Sequence, residues 1–132
     1  MLDTNIVSHI VKQHNAVIRR AVSAPIDQLC VSAITQGELL FGLARRPEAT
    51  RLNAGVREFI RRVDVLPWDR HVAAAYGDLR ADLQRGGREL APLDLLIAAH
   101  ALSAGAVLVT NDQAFAQVAG LAVEDWTIPA RQ

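Results

Sequence analysis

Lysine is almost missing from this sequence. Of its 14 basic residues only Lys12 is a lysine, so there is no Gly-Lys-Ser/Thr step and a phosphate-loop nucleotidase is excluded. Cysteine is as scarce: Cys30 stands alone, which rules out a disulfide framework and a cysteine-based zinc site. Its Leu29-Cys30-Val31 setting suits a buried strand residue, not a catalytic thiol. No apolar run reaches the roughly 18 residues of a membrane span, and no signal peptide is evident, so the expectation is a cytoplasmic chain with no membrane role. Net charge is lacking as well. Acidic and basic residues balance at 14 each, so no global positive field marks a nucleic-acid binder, and such binding would need a local basic patch.

What is there suits one compact domain spanning residues 1–132, with 51% hydrophobic and 21% charged residues. No internal repeat or low-complexity linker interrupts it. Apolar spacing predicts a helix from Thr4, with Ile6, Val7, Ile10 and Val11 on one face, and another over Ala16–Val22. A strand at Gln28–Ser32 leads into a helix over Ala33–Arg45, closed by Pro47. A helix over Glu48–Arg62 precedes a strand at Val63–Leu66 and a helix over His71–Gln84, ended by Gly86-Gly87. Pro92 opens a helix to Ser103. Ala106–Val109 reads as a strand covered on both faces, followed by a short helix from Gln113 and an edge strand at Leu121–Asp125. Strands alternating with helices imply an α/β sandwich around a mainly parallel sheet, with ligands at the carboxyl edge of the strands.

Four acids sit where acids are out of place. Asp3 lies in MLDTNIV, Glu38 in ITQGELLFGLA, Asp94 in APLDLLIAAHA, and Asp112 closely follows AVLV. Charged groups avoid burial unless paired or metal-bound. Asp3 and Asp112 also make sense as helix caps, and Asp94 as an acid in a first helical turn. Yet Asp94 shares its stripe with Ile97, Ala98 and Ala101. Glu38 shares one with Ile34 and Phe41, where a salt bridge to an arginine such as Arg45 is the alternative. The other acids, among them Asp78, Asp82 and Glu58, fit solvated faces. His9, His14, His71 and His100 show no ligand spacing, and Trp68 and Trp126 read as packing residues.

Gathered carboxylates repel unless a cation joins them. An oxygen-rich cluster suits Mg²⁺ or Mn²⁺, which keep waters and substrate phosphate oxygens in their shell. The indicated chemistry is phosphodiester hydrolysis. Arg45, Arg46, Arg61, Arg62, Arg85 and Arg88 are candidate phosphate contacts, or simply solvated helix faces.

The segments that carry the acids also carry a likeness. Leu2-Asp3-Thr4-Asn5-Ile6, Ser32-Ala33-Ile34-Thr35 leading to Glu38-Leu39-Leu40-Phe41-Gly42, Pro92-Leu93-Asp94-Leu95-Leu96-Ile97-Ala98 and Leu108-Val109-Thr110-Asn111-Asp112 resemble the PIN-domain ribonucleases. Within these, the chain is most similar to the VapC toxins of VapBC toxin–antitoxin systems, down to Val123-Glu124-Asp125-Trp126. The resemblance implies a PIN-like three-layer α/β/α fold, Mg²⁺-dependent endoribonuclease activity, a VapB-type antitoxin partner and a homodimer. It also implies an RNA substrate, with the anticodon loop of initiator tRNA as the target of the most similar subgroup. Asp3, Glu38 and Asp94 match the family's central acids and Asp112 its more variable fourth, with Asp3 and Asp94 the first candidates to hold metal. Asn5, Thr110 and Asn111 are implied as supports. The helix faces at Ile6–Val11 and Leu39–Leu43 are the expected binding surfaces for antitoxin and second copy.

One departure concerns the first strand. Family members usually place several apolar residues before Leu-Asp-Thr-Asn, whereas only Met1 and Leu2 stand here. The alternatives are a start inside a longer frame or a very short strand. Two other classes remain: a phospho-signalling receiver, whose paired acids and late lysine are missing, and a non-catalytic module with structural acids.

Overall fold

A computed structural model describes residues 1–129, and the last part of the expected domain, 130–132, falls outside them. Among the described residues four short strands and six α-helices alternate: α1 (Thr4–Val11), α2 (Asn15–Ser23), β1 (Cys30–Ser32), α3 (Ala33–Arg45), α4 (Thr50–Arg62), β2 (Asp64–Leu66), α5 (Arg70–Arg85), α6 (Pro92–Ala104), β3 (Leu108–Val109) and β4 (Val123–Glu124). β1 pairs with β2 in parallel, Cys30 opposite Asp64, and β3 pairs with β4 in parallel, Leu108 opposite Val123. Residues 1–3 join the two ribbons. Leu2 donates its N–H to the Cys30 carbonyl at 2.8 Å, and Asp3 donates to Val109 at 2.9 Å. Val109 donates back to Met1 at 2.8 Å. The sheet therefore runs β2, β1, residues 1–3, β3, β4. Residues 1–3 are its centre, with Leu2 bridging in parallel to Val109.

Period-two alternation sends neighbouring residues to opposite faces. Met1, Cys30, Leu66 and Leu108 pack under α5 and α6 with Val72, Leu79, Ile97 and Phe115. Leu2, Val31, Val65 and Val109 pack under the α1–α4 layer with Ile6, Val17, Leu43 and Val56. Two cores, one on each face, make the three-layer α/β/α sandwich. α6 is buried from Ile97 through Ala101, as a helix apolar on nearly all sides must be. Its one polar member there, His100, is satisfied by Ser32, with Nδ1 2.7 Å from Oγ.

Boundaries depart from expectation where local hydrogen bonds compete. Ile26–Gln28 forms a 3-10 turn, so β1 begins at Cys30 and not Gln28. α4 starts at Thr50, not Glu48. β3 holds only Leu108 and Val109, because Ala106 donates to the Ala101 carbonyl at 3.0 Å and Gly105 takes a left-handed φ of 62°, ending α6. Val107 is exposed, so the run is covered on both faces only from Leu108. β4 is trimmed to two residues: Leu121 N–H donates to Val118, and the Asp125 carboxylate accepts from Thr127 N–H at 2.8 Å. The short helix is a 3-10 turn over Gln113–Gln117. No helix of the described residues is long and apolar enough to cross a membrane.

Candidate active site

The carboxyl edge of the sheet collects the acids because strands end and helices begin there. Asp3 closes the central segment and caps α1, its Oδ1 accepting from Thr4 N–H at 2.8 Å. Thr110, just past β3, donates its hydroxyl to Asp3 Oδ2 at 2.8 Å, and the same hydroxyl accepts from Asp112 N–H at 3.1 Å. Asp112 in turn caps the following 3-10 turn, its Oδ1 accepting from Ala114 N–H at 2.9 Å. On the other side, Thr4 donates its hydroxyl to Glu38 Oε1 at 2.7 Å, with the buried Thr35 hydroxyl 3.3 Å away. Glu38, Thr4, Asp3, Thr110 and Asp112 thus form one hydrogen-bonded line across three elements.

Asp94 stands opposite that line in the first turn of α6. Burial pushes its carboxyl up to about 6, and the charges of Asp3, Asp112 and Glu38 add to the rise. Asp3 is also raised, chiefly by burial and slightly by Asp112, while hydrogen bonds from Thr110 and Thr4 pull it back down. All four acids therefore share one field. Among the described residues no lysine, arginine or histidine forms an ion pair with any of them. The salt-bridge alternative for Glu38 fails, since Arg45 lies over the Phe41 ring, 5.2 Å from its centroid.

Other expectations need correction. Asn5 is exposed on α1, and neither its side chain nor that of Asn111 donates to the acids, whose protein donors are Thr4, Thr110 and Ala114. Thr4, one residue before Asn5, makes the contact in its place. It went unnoticed in sequence because a threonine at a helix start has an ordinary capping explanation; its place in Leu-Asp-Thr-Asn was the available signal. Glu38 is only half-buried, because Phe41 on its stripe is 63% exposed. The surplus apolar face is also narrower. Ile6, Val7, Leu39 and Leu43 are buried in the core, whereas Leu40 and Phe41 within Leu39–Leu43 are exposed, as is Leu93, which lines one cavity with Phe41.

Among the described residues no three Asp, Glu, His or Cys side chains close into a ready ligand cage. The described geometry is not that of a preformed zinc or calcium cage. It is compatible with a small hard cation that takes one or two carboxylates and fills the rest of its shell with water and substrate oxygens. Asp94, without a hydrogen-bond donor among the described residues and raised by burial and then by its neighbours, and Asp3, fixed by two donors, have the oxygen chemistry to hold such an ion.

The PIN domain model matches residues 1–121. The chain belongs to the PIN-domain family. A tRNA(fMet)-specific endonuclease VapC of Shigella flexneri is 38% identical over 128 residues, 96% of this chain and 97% of that one. Ribonuclease VapC2 of Haemophilus influenzae is 35% identical, with 96% of each chain covered. This PIN domain therefore lies in the VapC branch. Its backbone superposes on a DNA-bound VapBC structure from Salmonella typhimurium with a TM-score of 0.87, at 38% identity and 96% coverage of both chains. Membership sets aside the phospho-signalling alternative.

Proposed function

We propose that this PIN domain is a Mg²⁺-dependent endoribonuclease, with Mn²⁺ as the substitute ion, acting as the toxin of a cytoplasmic toxin–antitoxin pair. The observation that carries it is the Asp94 carboxyl, which feels the charges of three other acids and has no cationic partner among the described residues. An arrangement that raises a carboxyl to about 6 is costly in a merely structural role. When bound, the ion lowers the pKa of its water and neutralises charge on the phosphoryl group. Asp3 and Asp94 would hold it. Thr4 and Thr110 fix the Asp3 oxygens, and Thr4 also orients Glu38 through Oε1. Glu38 Oε2, without a donor among the described residues, would take the proton of the attacking water as the P–O bond to the leaving oxygen breaks, and that oxygen would be protonated from solvent. Asp112 completes the field from the Thr110 side.

The substrate within this reading is tRNA, and in particular the anticodon loop of initiator tRNA, by likeness to relatives that carry that specificity in their names. Solved neighbours described as VapBC complexes support a VapB-type antitoxin as partner. Exposed Leu40, Phe41 and Leu93, beside Glu38 and Asp94, offer the apolar surface for its segment and for a second copy of this chain. Sequencing RNA 5′ ends after brief expression tests the whole reading. Wild type should add one dominant new end within the anticodon loop, and Asp94→Asn should add none. Identical end maps for the two proteins would reject the nuclease.

A further inference from the structure

We propose that a cavity between α5 and α6 seats one nucleotide of the RNA next to the cleaved phosphate, with its phosphate on Arg80 and Arg88 and its base against Tyr76. The inference rests on the ribonuclease reading above. α5 runs into the carboxyl edge and α6 leaves it, and between them lies a cavity of about 220 Å³. Its apolar floor includes Pro92 and Leu95, which flank Asp94 in the first turn of α6. The cavity thus shares the first turn of α6 with Asp94, and none of the four acids lines it.

Its walls have the composition a nucleotide needs. Arg80 donates one N–H to the Tyr76 hydroxyl at 3.0 Å, and Arg88 donates one to the Gln117 carbonyl at 2.9 Å. Neither makes an ion pair among the described residues, so the rest of each guanidinium fork is available to a phosphate. Of the other candidate arginines, Arg61 and Arg62 pair with Glu58 and Arg85 with Asp82, Arg45 lies over Phe41, and Arg46 lines a separate cavity between α1, α3 and α4. Tyr76 is braced from behind by Trp68, ring centroids 6.1 Å apart and edge-on, and Trp68 is pinned by its Nε1 to the Leu96 carbonyl at 3.0 Å. A held ring over an apolar floor is a stacking platform for an unpaired base.

The test uses the full chain carrying Asp94→Asn, which leaves RNA uncut, and a fluorescein-labelled RNA hairpin with an unpaired loop. Anisotropy is followed across a salt series. Arg80→Ala should weaken binding about three- to fivefold and reduce the salt slope by about 0.7, the share of one single-stranded phosphate. Tyr76→Leu should weaken it at least about fivefold with the slope unchanged. Arg57→Ala, on α4 in the opposite layer, should match the parent. If Arg80→Ala and Tyr76→Leu both keep the parent's affinity and slope while wild type still cleaves RNA, the subsite is wrong and the nuclease stands. An equal loss in Arg57→Ala reduces the effect to net charge and also overturns the subsite. Absence of both binding and cleavage in the unsubstituted chain removes the ribonuclease reading itself.

Discussion

Asp94→Asn should make the protein more stable while it abolishes cleavage. The Asp94 carboxyl moves from 3.8 to about 6 on folding, through burial first and then the charges of Asp3, Asp112 and Glu38. A shift of that extent corresponds to at most about 3 kcal/mol. The group is partly solvated, so screening by water and salt cuts this to about 1.5 kcal/mol. The α6 N-terminus favours an acid by about 0.5 kcal/mol, which asparagine forfeits, leaving a net gain of about 1 kcal/mol. In a domain of this size that is about 3–5 °C in Tm. The sign follows from proton linkage. Between pH 3.8 and about 6 the folded chain keeps a proton that the unfolded chain has released, so wild-type stability falls as pH rises through that window. The advantage of asparagine is therefore absent near pH 3.5 and complete above pH 7. Urea titrations of both proteins across this range measure it. The same gain at both ends, or a loss at high pH, would show that Asp94 is not held against a like-charged field.

Thr110→Val removes the hydroxyl that stabilises ionised Asp3, so the acid limb of the cleavage pH profile should move to higher pH, and a pH–rate series checks it. Thr4→Val frees Glu38 from its 2.7 Å donor; kcat should fall about tenfold with KM little changed, as steady-state cleavage would register. Chelation of divalent ions should stop cleavage without unfolding the chain, because the acids are already ordered by threonine and backbone donors; circular dichroism beside an activity assay decides this. Phe41→Ser should reduce self-association and capture of a VapB-type antitoxin, since a side chain 63% exposed leaves the fold little to lose; light scattering and co-purification read the outcome.

Most of the fold was legible because it depends on periodicity and punctuation. α3 runs over the predicted Ala33–Arg45, with Ser32 as its cap and Pro47 beyond its end. α6 opens on Pro92 and stops at a left-handed Gly105 as expected. Strand lengths were less legible. β3 and β4 carry two residues each, because turn bonds within Ala101–Ala106, Val118–Leu121 and Asp125–Thr127 claim groups that a longer ladder would need. Such competition is decided by tertiary geometry and leaves little trace in hydropathy.

The acids could be found because each violates the apolar pattern around it; of their helpers, which obey local rules, Thr110 was reached through the family resemblance alone and Thr4 stayed hidden. Thr4 starts a helix, Thr110 follows a strand, and each has an ordinary place there. Only the fold reveals that both hydroxyls point at Asp3 or Glu38. The division of labour explains how the edge tolerates its charge. Donors satisfy Asp3 from two sides and Glu38 and Asp112 from one each, while Asp94 has no donor and bears the repulsion. A fifth donor or a nearby arginine would relieve it, but would also compete with any cation for the same oxygens. The unrelieved carboxyl is thus the feature to expect of a site whose missing positive charge comes from outside the chain.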